Sequence, residues 1–70
     1  MTEVRAEMTA SVWQVSRAVG DSVAAGDTIL ILESMKMEIP VEAPVAGTIV
    51  QIAVNAGDNV RTGDRLVEIR

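Results

Sequence analysis

Shifted by thirty-seven positions, the chain falls into register with itself. Val12, Gln14, Val15, Gly20, Asp21, Val23, Gly26, Asp27, Ile29 and Leu32 land on Ile49, Gln51, Ile52, Gly57, Asp58, Val60, Gly63, Asp64, Leu66 and Ile69. Six of these ten pairs are identical, the other four exchange one aliphatic side chain for another, and no gap is needed. Val4 and Ala6 extend the match onto Val41 and Ala43. Two units of thirty residues result, 4–33 and 41–70, with Ser34-Met35-Lys36-Met37-Glu38-Ile39-Pro40 between them. Units this small cannot bury an apolar face alone, so the duplication predicts one pseudo-twofold domain over 1–70 in which each half covers the other. The same symmetry places the linking segment near the pseudo-axis.

The periodicity within one copy is ambiguous. Val12, Val15 and Val19 stand at helical spacing, with Ser11 available as a cap. The second copy decides it. Ile49-Val50-Gln51-Ile52-Ala53-Val54 is dense in β-branched residues, which pack well on a pleated surface and are stiff in helices. Both copies share one structure, so both are strands. The recurring three-residue step (12 to 15, 29 to 32, 49 to 52, 66 to 69) does not suit a flat strand and calls for a bulge or a strong twist.

Four of the five glycines stand in Gly-Asp pairs, at 20–21, 26–27, 57–58 and 63–64. Glycine accepts positive φ, and Asp closes a turn through its carboxylate. The six-residue interval between the turns of each half leaves room only for a very short strand, Ser22-Val23 or Asn59-Val60. Calcium binding is the rival reading, but the dense alternation of carboxylates in a calcium loop is missing. Short strands punctuated by turns predict an all-β fold, a flattened antiparallel barrel or sandwich of about eight strands (a barrel-sandwich hybrid).

Composition narrows the chemistry. Without His or Cys there is no zinc site of those ligands, no thiol nucleophile, no His-based triad and no disulfide, and no other metal site is expected. A charge of −4 and a single aromatic residue, Trp13, lack the basic stripe and stacking platform of a nucleic-acid binder. Trp13 reads as a partly buried strand residue ahead of a partner contact. The longest aliphatic run, Ile29 to Leu32, is far short of a membrane span, and the charged start is no secretory signal. A soluble, cytoplasmic, non-catalytic protein is expected. The Met start and the unbroken repeat favour a free-standing chain over a domain cut from a larger one.

Attention falls on the insert, a short link between strands ending near Glu33 and starting near Glu38, and so a tight, exposed hairpin turn. Lys36 is the only lysine, against five arginines, and the only side-chain amine. An amine can attack an activated acyl group once it loses its proton, which arginine cannot do. A preference for Arg over Lys across the chain is the plainer explanation of its solitude. Met35 and Met37 flank it as flexible, polarizable contact groups, or else as loose filler folded back on the strands.

Glu33-Ser34-Met35-Lys36-Met37, followed by Ala46-Gly47 and set between Gly-Asp turns on both sides, resembles the biotinyl (biotin carboxyl carrier) domain of the biotin/lipoyl attachment family, over about Val4 to Arg70. The resemblance implies biotin joined covalently to Lys36 by a biotin protein ligase. It implies that Met35 and Met37 are read by that ligase or by the carboxylase, and that Glu33 is an acidic flank. It further implies that the domain carries a carboxyl group on biotin between the carboxylase and carboxyltransferase components. Ser34 stands where Ala is more usual, and the gapless first half has no room for the protruding thumb of some relatives. Lipoyl domains share the architecture with Asp-Lys-Ala at the tip, so a lipoyl carrier is the second hypothesis. An unmodified β-domain that only binds partners is the third.

Overall fold

The computed structural model describes residues 1–70 and contains eight strands and no helix. They are β1 (Thr2–Arg5), β2 (Ala10–Val15), β3 (Ser22–Val23), β4 (Thr28–Ser34), β5 (Met37–Glu42), β6 (Gly47–Ile52), β7 (Asn59–Val60) and β8 (Arg65–Ile69). All pairings are antiparallel, in two four-stranded sheets of order β1-β8-β6-β3 and β5-β4-β2-β7. Of the two architectures the sequence allowed, the hydrogen bonding selects the sandwich, since the sheets do not close into a barrel. With no helix there is none long and apolar enough to cross a membrane.

A shift of thirty-seven residues turns β1, β8, β6 and β3 into β5, β4, β2 and β7, so one sheet is the image of the other. Each sheet is nevertheless built from both halves of the chain: the two-residue β3 pairs with β6, and β7 pairs with β2. The link between the halves is not on the pseudo-axis. Leu32 faces Ile39 across the β4–β5 hairpin, and the equivalent pair in the other sheet is Ile69 and Thr2, next to the chain ends. The hairpin is therefore the image of the paired termini. The axis expectation failed because a strand connection repeats with the strands it joins.

Bulges account for the three-residue steps. The β2–β4 ladder shifts between Val12 and Gln14, leaving Trp13 as the extra residue, and β6–β8 does the same at Val50. The β4–β5 and β1–β8 ladders shift at Ile29 and Leu66. A regular strand alternates its faces, whereas a bulge lets two neighbours point the same way. Ile29 with Leu30, and Leu66 with Val67, are accordingly all fully buried. The fifteen buried residues are all apolar, and the repeat pairs Val12 with Ile49, Val23 with Val60 and Leu32 with Ile69 among them. Gly47 belongs to the same packing. A Cβ there would come within 2.7 Å of Ile69 Cγ2 and closer still to the Arg70 carbonyl, so the last strand excludes a side chain.

The Gly-Asp turns stitch the halves together. At the first, Gly20 takes φ of 97°, a region open to glycine, and the other three turns repeat it. Asp21 Oδ2 accepts the Ala18 N–H at 2.9 Å while the Asp21 N–H donates back to the Ala18 carbonyl. Asp27, Asp58 and Asp64 close on Ala24, Asn55 and Arg61 in the same way. Each turn then grips a buried residue of the other half. Gly20 N–H and Asp21 C=O bond to Ile49, Gly26 and Asp27 to Ala43, Gly57 and Asp58 to Val12, and Gly63 and Asp64 to Ala6.

Candidate functional site

The β4–β5 hairpin carries the lone lysine. Its ladder runs unbroken from Leu30↔Val41 to Ser34↔Met37, so the strands extend through most of the insert and the turn is only Met35-Lys36. Met35 and Lys36 have φ of 53° and 63° and are the only non-glycine residues of the chain with positive φ. Positive φ at both central residues is the shape of a type I′ turn, whose twist matches that of the flanking strands and which usually contains Asn-Gly. For side chains other than Asn or Asp this region costs roughly 1 kcal/mol or more per residue. Both non-glycine residues with positive φ thus lie at the chain's only lysine, held there by the hairpin ladder.

The tip projects its side chains into solvent. Met35 is 92% exposed and Met37 63%, so neither is folded back on the strands as filler. Lys36 is exposed and its side chain enters no hydrogen bond or ion pair. Neither surface concavity includes it. One, of about 350 Å³, lies between the edges of β1 and β5, and the other, of about 460 Å³, lies beside Val54 and Arg65. A convex tip with a free amine cannot enclose a substrate. It can be taken into another protein's site.

Just below the tip, Glu33 faces Glu38 across the ladder. Both are exposed and neither has an ion-pair partner. Glu38 was not singled out in the sequence. Register was the signal that could have found it: a two-residue turn at 35–36 puts 33 opposite 38. Trp13 projects from its bulge at 49% exposure, more open than a partly buried strand residue.

The sequence profile described as "Biotin-requiring enzyme" matches residues 2–69. The chain belongs to that family. This biotin-family chain is 48% identical over 67 residues to the Biotinylated protein TB7.3 homolog of Mycobacterium leprae, covering 96% of itself and 94% of that protein. It is 46% identical over 68 residues to the pyruvate carboxylase of Staphylococcus aureus, covering 97% of itself but 6% of that enzyme. It also superimposes on the lipoyl domain of the 2-oxoglutarate dehydrogenase complex from Azotobacter vinelandii with a TM-score of 0.85. That alignment covers all of this chain and 96% of that domain, at 24% identity, and shows the shared fold alone. The family's cofactor is biotin, and Lys36, Met35 and Met37 come together at the exposed end of the β4–β5 hairpin, with Glu33 directly beneath.

Proposed function

We propose that this biotin-family chain is a biotin carboxyl carrier and that Lys36 is its attachment point. The observation that carries the reading is the exposed, strained Met35-Lys36 turn holding the only side-chain amine of the chain. The geometry fits the group: Nζ is unpaired, and nothing in the fold depends on its charge. A biotin protein ligase would remove a proton from Nζ, which then attacks the acyl carbon of biotinyl adenylate. The N–C amide bond forms, the bond from acyl carbon to phosphate oxygen breaks, and AMP leaves. Once attached, biotin supplies a ureido nitrogen that takes up and releases a carboxyl group.

The residues of the chain do the rest by position. The two-residue turn presents Nζ away from the sheets, Met35 and Met37 offer apolar contacts on either side, and Glu33 marks the base of the hairpin with negative charge. Acylation removes the tip's one positive charge. The chain itself performs no catalysis in this reading: it presents the arm to biotin carboxylase and carboxyltransferase components, in the cytoplasm. The tip favours biotin over lipoate, because Met flanks Lys36 on both sides, where lipoyl domains usually carry Asp-Lys-Ala.

Coexpression with a biotin protein ligase, followed by intact mass measurement, tests the assignment. One biotinyl group is expected on the wild type and none on Lys36→Arg. A lipoyl group after coexpression with a lipoyl ligase selects the other carrier. An unchanged mass with both ligases ends both carrier readings.

A further inference from the structure

The duplication supplies an internal control for reading the surface. On the outer face of the hairpin sheet, Glu38 and Glu33 lie side by side with Ser11 in the first row below the tip. Pro40, Ile31 and Gln14 form the next row, with Trp13 bulged out between the two rows on β2, and Glu42 lies beyond them opposite Thr28. The thirty-seven-residue shift carries Pro40 to Glu3, Glu42 to Arg5, Thr28 to Arg65, Ile31 to Glu68 and Trp13 to Val50 on the other sheet.

That second face neutralises itself. Arg5 pairs with Glu3, and Arg65 reaches Glu3 at 3.7 Å and Glu68 at 3.6 Å. The hairpin face has apolar Pro40 and Ile31 where its twin has Glu3 and Glu68, and an indole where its twin has Val50. Its Glu33, Glu38 and Glu42 have no ion-pair partner, and the first two face each other, which is unfavourable across a ladder. The same backbone lattice underlies both faces, so folding does not require the difference.

We propose that the outer face of the hairpin sheet, with Trp13, Ile31 and Pro40 ringed by Glu33, Glu38 and Glu42, docks the protein ligase that acylates Lys36. The surface it fits is an apolar patch rimmed with Arg and Lys. Charge complementarity defines the rim, and an Arg laid over the Trp13 ring gains a cation–π contact as well. Reach selects the ligase over the later enzymes. An enzyme acting on Nζ has only the four lysine methylenes as a spacer, so its surface must come against the hairpin. An enzyme acting at the far end of the attached arm need not.

The proposal rests on Lys36 being the acylated residue, and the test separates the two. Steady-state biotinylation by a biotin protein ligase is measured with the full chain as the varied substrate. The key variant is Thr28→Arg with Ile31→Glu, Pro40→Glu and Glu42→Arg, which installs the set already accommodated by the twin sheet. Thermal melting checks that it folds, and Ile31→Glu alone carries the test if it does not. We expect KM to rise about fivefold or more while kcat stays within about twofold, the mark of lost uniform binding. Added KCl is expected to raise KM for the wild type, and to raise the variant's less steeply because only Glu33 and Glu38 of the three carboxylates remain. Glu3→Gln with Arg65→Gln, on the twin face, should leave both constants unchanged. A smaller KM rise, or a fall in kcat alone, overturns the docking face and leaves the carrier reading standing. A wild type that accepts no biotin overturns both.

Discussion

At the scale of single residues, Met35 and Lys36 hold the left-handed backbone that hairpins usually assign to Asn-Gly. Local propensity and tip chemistry conflict there, and such conflicts gather at functional sites. Met35→Asn should therefore stabilise the fold by about 0.5–1 kcal/mol, because Asn tolerates that region. A urea midpoint shifted upwards would show it; an unchanged or lowered midpoint would mean that the ladder, not the turn, sets the conformation without strain. The same variant should also accept biotin less well, through loss of an apolar contact that is 92% exposed. Lys36 and its methionines were legible in the sequence because their chemistry is their identity. Glu38 was not, because its interest comes from a partner across the strand.

The elements are set by turns that act at a distance. Each Asp closes its own turn through an N–H three residues back, and the closed turn then presents one donor and one acceptor to the opposite half. Asp58→Ala should cost about 1 kcal/mol, a typical hydrogen-bond loss, and Asp21→Ala about the same by symmetry. Chemical denaturation of the two variants checks this, and a difference above roughly twofold would mean that the repeat does not carry its energetics with its geometry. The turns and the two-residue strands between them were legible from Gly-Asp spacing. The three-residue steps signalled an irregularity in each strand, but a bulge and a strong twist leave the same trace in sequence. Only the ladders, shifting at Trp13, Ile29, Val50 and Leu66, distinguish them.

For the whole molecule, neither half can stand alone, because β3 hydrogen-bonds to β6 and β7 to β2. Residues 1–36 as a separate peptide should show no β-sheet circular dichroism, since β1 and β3 lose their sheet and the core loses half its members. The intact chain should unfold in one transition. A folded half-peptide would show that the exchange of short strands adds nothing essential. The sequence by itself determined the duplication, the all-β class, the turns and the lone lysine between two methionines, because each depends on residue identity at a fixed spacing. Tertiary structure alone decided which strands pair across the halves and that the lysine hairpin mirrors the chain ends. It also decided that one face neutralises its charges while the other leaves three carboxylates unpaired. Pairing and neutralisation are relations between distant residues, and a sequence repeat is equally compatible with faces that match and faces that do not.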